Sequence, residues 1–145
     1  MSGVESQGTI ISIGEGDATT VLPATDTFLA IGCVKSWDGP GGSASIIDAT
    51  CLSSTAKEKL IGLRDEGSIS LTMNRLFDNT GQNELKDARA SRQLRNFKIE
   101  YQDANNTVGS FTGYVMEFST SGGVDALVEA SAAIEISGPY TEASA

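Results

Sequence analysis

Gly67-Ser68-Ile69-Ser70-Leu71-Thr72-Met73-Asn74 alternates residue by residue: Ile69, Leu71 and Met73 point one way, and Ser68, Ser70, Thr72 and Asn74 the other. Two later stretches repeat the pattern. Phe97, Ile99 and Tyr101 oppose Asn96, Lys98, Glu100 and Gln102, while Val128, Ala130, Ala132, Ile134 and Ile136 oppose Glu129, Ser131, Ala133, Glu135 and Ser137. With one short helix after the first of these and another strand before the last, residues 67–137 read as strand, helix and three strands. A period of two gives each strand one buried and one polar face, which predicts an antiparallel sheet wet on one side.

Working outward, the helix is predicted over about 81–90. Thr80 is its expected cap, Glu84 and Asp87 lie nearer its positive end, and Arg89 and Arg92 lie at its negative end. Leu85 and Ala88 form a narrow apolar stripe, enough to lie on a sheet. Asp103-Ala104-Asn105-Asn106 reads as a hairpin tip. In the next strand the apolar register shifts between Phe111 and the set Tyr114, Met116 and Phe118, so a bulge is expected at Gly113. Ser121-Gly122-Gly123 makes the following turn.

Upstream, residues 1–8 are polar and read as a flexible N-terminal segment before a single domain over 9–145. Residues 9–13 suggest a short strand and 14–17 a turn. Residues 28–34, apolar on both faces, suggest a central strand. Trp37-Asp38-Gly39-Pro40-Gly41-Gly42 signals a turn, and 43–49 a further strand. Residues 50–66 read as a long loop with a helical turn at 54–60 capped by Ser53 or Ser54. Such loops carry contacts or are merely solvated, and Lys57, Lys59 and Arg64 are its candidate contact residues, with Glu58, Asp65 and Glu66 beside them.

The chain of 145 residues fits one domain. No apolar run approaches the ~20 residues that cross a bilayer, and the first residues lack the basic and apolar regions of a signal peptide, so folding in a cytoplasm is expected. Cys33 and Cys51 read as small buried hydrophobes, or as a disulfide formed after release. Two such ligands are too few for zinc. The chain contains no histidine, the usual base for a serine or cysteine nucleophile. Gly14-Glu15-Gly16 opens no helix that could cradle phosphate, and Asp17 and Asp26 lack the spacing of a calcium loop. No catalytic, cofactor or metal residues are assigned, and no enzyme activity is expected.

A net charge of −9 argues against a nucleic-acid-coating protein. Its distribution says more. From Ile99 onward there is no Lys or Arg, whereas Glu100, Asp103, Glu117, Asp125, Glu129, Glu135 and Glu142 sum to −7. Just upstream, Lys86, Arg89, Arg92, Arg95 and Lys98 supply half of the 10 basic residues. The two regions are either solvated faces or complementary surfaces for self-association, which makes Lys86, Arg89, Arg92 and Arg95 candidate subunit contacts.

The order of these elements resembles the tail tube subunit of long-tailed bacteriophages. The residues that carry the resemblance run from Gly67-Ser68-Ile69-Ser70-Leu71 through the Leu85 helix, Phe97-Lys98-Ile99, Gly113-Tyr114-Val115 and Ser121-Gly122-Gly123-Val124. They end with Ala133-Ile134-Glu135-Ile136-Ser137-Gly138, and Ile47-Asp48-Ala49-Thr50 leading into Ser53-Ser54-Thr55-Ala56-Lys57 adds to them. The resemblance lies in order and spacing and covers nearly the whole chain. It implies a β-sandwich or barrel-like fold with one flanking helix, assembled into stacked hexameric rings through which DNA passes without specific binding. It also implies tape measure, tail tip and tail terminator partners, no membrane partner, and residence in the virion tail after assembly in the host cytoplasm. Secretion-system tube proteins share the architecture, and a non-enzymatic β-sandwich binding or adhesin module is the reading from another class. For that module Trp37 would be the one loop aromatic. If the polar sheet face lines the channel, the lumen candidates are Glu100, Glu129, Ser131 and Glu135, with Ser137 beside them; Glu117 could fall on either face.

Overall fold

The computed structural model describes residues 8–19, 26–48, 50, 51, 56, 57 and 59–144. The first seven residues of the expected flexible segment, and the expected cap at Ser53 or Ser54, lie outside the described residues. The elements run β1 (Ile10–Gly14), β2 (Phe28–Ala30), β3 (Val34–Asp38), β4 (Ser43–Asp48), β5 (Lys59–Asp65), β6 (Ser68–Asn74), α1 (Thr80–Ser91), β7 (Arg95–Glu100), β8 (Thr107–Ser121) and β9 (Glu129–Ser144). Seven strands form one antiparallel sheet in the order β2-β1-β7-β8-β9-β6-β3, and β4 pairs with β5 in a separate ribbon.

The sheet is mainly antiparallel β with one flanking helix, as expected, and its edges show that it curls. β2 and β3 are opposite edges, yet only Ile31, Gly32 and Cys33 join them. Four Cα–Cα steps span at most about 15 Å, whereas seven flat strands would set the edges roughly 29 Å apart. The sheet is therefore rolled toward a barrel, and the hydrogen bonds agree. The Ile31 N–H donates to the β1 carbonyl of Ile11 at 2.8 Å, while the Cys33 carbonyl accepts from the β6 amide of Asn74 at 3.1 Å. The central strand expected at 28–34 is thus two edge strands broken at this corner, where Cys33 takes a left-handed φ of 56°. The apolar run reflects Ile31 turning into the core rather than burial on both faces.

The inward faces supply one core. Ile69, Leu71 and Met73 of β6 oppose Ile134, Ala132 and Ala130 of β9, the last two pairs large against small. Phe97 of β7 stacks on Phe111 of β8 with centroids 5.2 Å apart. Leu85 and Ala88 lay the α1 stripe onto this core, beside Ile11 and Ile13. Each fully buried Ile, Leu, Met or Phe contributes about 1.5–3 kcal/mol.

The helix begins one residue earlier than expected and is capped by Asn79, not Thr80. The Asn79 Oδ1 accepts from the Gln82 amide at 2.9 Å and from Gly32 N at 3.2 Å. A carboxamide outranks a threonine hydroxyl as a cap, and this one also ties the helix to the barrel corner. At the other end Arg92, at φ 59°, closes the helix by donating its N–H to Ala88 O at 3.0 Å.

Several sequence expectations change. Gly113 is not itself a bulge: it pairs with Arg95 and Ile136, and the irregularities fall between Ser110 and Thr112 and between Val115 and Glu117. Glycine is required there because an added Cβ would lie 2.6 Å from the Glu135 carbonyl oxygen. Phe111 and Val115 point inward, whereas Tyr114 and Met116 are exposed; past the second irregularity Phe118 again packs partly against the core. Val128 precedes β9 and is exposed. Asn96, expected on the wet face, is buried, and its Nδ2 donates to Asp26 Oδ2 at 3.0 Å.

Cys33 and Cys51 are both exposed, not buried hydrophobes, and neither is in a disulfide. Trp37 lies in β3, half-buried against the core, so it offers no loop aromatic. Inside the excursion expected at 50–66, Lys59–Asp65 forms β5, because Leu60 and Ile61 pair across from Ile47 and Ile46. The hairpin tip at 103–106 is as expected. The Thr107 hydroxyl and amide both donate to Asp103, at 2.6 and 2.7 Å, and hold its carboxyl below the ordinary carboxylate value.

Candidate assembly surfaces

The β4–β5 ribbon is apolar on both faces. Ile46 and Ile61 share one side and Ile47 and Leu60 the other, with Leu63 just past the register shift. All five are exposed, Ile61 by 78% and Leu63 by 94%. A two-stranded ribbon is marginal in water by itself, and an exposed apolar patch of this kind marks a contact surface. Sequence reasoning named only charged residues here. Lys57 and Lys59 are exposed beside the ribbon, and Arg64 contributes its backbone to β5. The signal for the apolar contact was available in Ile46-Ile47 and in Leu60-Ile61-Gly62-Leu63, with too many apolar residues for a solvated loop.

The second surface is the outer face of β9. Registers set Glu129 beside Asn74 and Ser121, Ser131 beside Thr72 and Ser119, Ala133 beside Ser70 and Glu117, and Glu135 beside Ser68 and Tyr114. The fold thus brings three expected lumen residues, Glu129, Ser131 and Glu135, together, and adds Glu117, whose face was undecided. Asp38 extends the same rung through Ser70. Glu100 does not join them. It sits level with Val108, six residues along β8 from Tyr114, about 20 Å away at ~3.3 Å per residue. Lys35 Nζ reaches Glu129 Oε1 at 2.7 Å, and Lys98 Nζ lies 3.3 Å from Glu100, so two of these acids are paired with bases. Both pairs are substantially exposed, and such pairs contribute about 0–1 kcal/mol. The Ser131 and Ser119 hydroxyls share a hydrogen bond of 2.8 Å.

The third surface is basic. Lys86, Arg89 and Arg92 are exposed on and just beyond α1. Arg95 does not belong with them. It is 5% exposed, ion-paired to Glu84, and donates to the Gly14 and Glu15 carbonyls at 3.1 and 3.0 Å. Its guanidinium fastens β1 and α1 to β7, so the candidate subunit contact is an internal staple. Sequence gave no sign of this because one residue in a basic run differs from its neighbours only in tertiary position.

Sequence reasoning also missed Arg75 and Gln82. The Arg75 guanidinium donates to Leu76 O, Gln82 Oε1 and Asn83 Oδ1 at 2.9, 3.1 and 3.1 Å, and lies 4.6 and 5.4 Å from the Phe77 and Phe118 ring centroids. Gln82 joins this group to the barrel corner. Elsewhere, burial and a 2.8 Å hydrogen bond shared with Tyr101 raise the Tyr140 phenol above its ordinary value. Among the described residues no cluster of three or more His, Cys, Asp or Glu could hold a metal ion, and no helix is long and apolar enough to cross a membrane. The exposed apolar ribbon and the two charged faces are suited to meeting other protein surfaces.

Comparison with known proteins places these features in context. A family model described as phage tail tube, lambda-like, matches residues 3–144. Among curated proteins no sequence match was found. The SPP1 tail tube protein superposes with a TM-score of 0.71 at 14% identity, over 99% of this chain and 80% of that one. The tail of the empty gene transfer agent particle, reconstructed with C6 symmetry, gives 0.71 at 13% identity, over 98% and 100%. The sheath/tube terminator of the extracellular contractile injection system PVC gives 0.70 at 13% identity, over 99% of both chains. At these identities the likeness to solved structures is one of fold.

Proposed function

The chain belongs to the lambda-like phage tail tube family and is a structural subunit of a tail tube, and from that premise we propose that six copies close into a ring and the rings stack into a DNA conduit. The observation that carries this reading is the β4–β5 ribbon, apolar on both faces and exposed in the single chain. Such a ribbon needs cover on two sides, and neighbouring copies supply it. The symmetry reported for the gene transfer agent tail supports six as the number.

The outer face of β9 is the surface we assign to the channel. Six copies would repeat Glu117, Glu129 and Glu135 as bands of carboxylate, with Ser131 between them, and like charge would keep DNA phosphates from adhering during passage. Glu100, remote from that face, is not part of this assignment. Lys86, Arg89 and Arg92 remain subunit contacts facing acids of neighbouring copies, as do Lys57, Lys59 and Arg64 beside the ribbon. Assembly in the host cytoplasm against tape measure, tail tip and terminator proteins completes the proposal, with residence in the virion tail.

The test removes the ribbon's apolar cover. Replacing Ile61 and Leu63 with Ser should leave a folded monomer but forfeit about 3 kcal/mol of association per subunit. The concentration needed for tube formation, read by light scattering, should rise about 100-fold. A double variant that assembles like the unmodified chain would remove the ribbon from the interface.

A further inference from the structure

We propose that the β8–β9 loop, residues 122–128, of one copy seats in the groove between α1 and β8 of the next copy. The inference rests on the tube reading and names a specific contact within it. The groove, about 580 Å³, is lined by Arg89, Ala90, Arg92, Tyr114, Val115 and Met116. Its floor is apolar, with Met116 64% exposed, and its rim carries two arginines. The loop is the complementary shape. Val124 is 95% exposed and Leu127 71%, and between them Asp125 holds a left-handed φ of 61° while the Ala126 amide donates to Gly123 O at 3.2 Å. The tip is thus an ordered turn that presents two apolar side chains and one acid.

Charge selects this occupant over the ribbon. Asp125 is the only charged residue between Glu117 and Glu129, so the loop brings a carboxylate to two guanidinium groups. The ribbon carries Lys59 and Arg64 against Asp48 and Asp65, with Lys57 beside it, so it offers the two arginines no net acid. One copy cannot satisfy itself. The loop leaves β8 after Ser121, five residues beyond Met116, which is about 16 Å along a strand. Knob and groove are different patches of one surface, so the contact is heterologous and propagates from copy to copy, as a ring or stack requires.

Cysteine cross-linking tests the contact in the full chain. In a background with Cys33→Ser and Cys51→Ser, Met116→Cys and Leu127→Cys are combined and assembled tubes are mildly oxidised. The expected result is a ladder of covalent multimers on a non-reducing gel, absent from either single-cysteine variant and collapsed by reductant. Tubes that form but give no ladder overturn the contact and leave the tube reading standing. Failure of the unmodified chain to form tubes overturns the tube reading itself. Leu127→Asp provides a second readout. Its monomer should keep the unmodified circular dichroism spectrum yet need at least tenfold more protein to assemble, and assembly within twofold of the unmodified chain would also overturn the contact.

Discussion

Gln82→Met is the sharpest test of how the barrel closes. Gln82 is 0% exposed. Its Nε2 donates to Gly32 O at 2.7 Å and Asn74 O at 2.9 Å, and its Oε1 accepts from Leu76 N at 2.8 Å and Arg75 Nη1 at 3.1 Å. One carboxamide therefore joins the β2–β3 corner, the end of β6 and the start of α1. Methionine matches its length and volume, so the substitution opens no cavity and removes only the polar contacts. Each hydrogen bond is worth about 1 kcal/mol net, more where one partner is charged, and the groups left behind are buried. The expected loss is about 4 kcal/mol, a large part of the ~5–15 kcal/mol that holds a domain together. At ~3–4 °C per kcal/mol for a chain of this size, the monomer Tm should fall by about 12–16 °C. Urea unfolding at concentrations too low for assembly should give the same energy with an unchanged slope. A loss below about 1 kcal/mol would refute the claim that this side chain closes the barrel.

Two further outcomes follow from single positions. Gly113→Ala should destabilise the monomer by about 1–3 kcal/mol, because the new methyl meets the Glu135 backbone rather than a side chain that could move; a stability unchanged within 0.5 kcal/mol, about the scatter of surface substitutions, would show that β8 and β9 can separate there. Tyr140 should stay protonated past the 10.0 of a free phenol, because burial and the Tyr101 hydrogen bond favour its neutral form. The folded state then holds a proton the unfolded chain has lost, so stability is full below pH 10 and declines above it. Tyrosinate absorbance, with Tyr140→Phe as reference, reads the titration, and half-ionisation of Tyr140 at pH 10 or below would contradict it.

The strands with clean alternation were legible because one face of each is wet. β6, and β9 as far as Ile136, have every second side chain in the core, and hydropathy period reports that directly. The helix was legible from Leu85 and Ala88, the hairpin tip from its turn residues. What hid was set by closure. The corner at Ile31–Cys33 is a long-range event, and no local pattern says that one apolar run will serve two sheet edges. Gln82 carries no local signal, and Arg95 reads as one more member of a basic run, because their burial depends on carbonyls that other segments bring to them. Alternation put Glu129, Ser131 and Glu135 on one face of β9, but Glu100 was grouped with them because alternation says which face a residue takes and nothing about its distance along the sheet. The strand at 43–49 was expected, but its partner β5 was read as part of a loop because its apolar residues serve no core of this chain.

Cryo-electron microscopy of tubes grown from the purified chain would show how the copies meet. The expected result is stacked six-fold rings in which Ile61 and Leu63 are buried against neighbouring copies and the outer face of β9, with Glu117, Glu129 and Glu135, borders the channel. A chain that remains monomeric at millimolar concentration, or tubes whose ribbons stand free in solvent with β9 turned to the exterior, would contradict it.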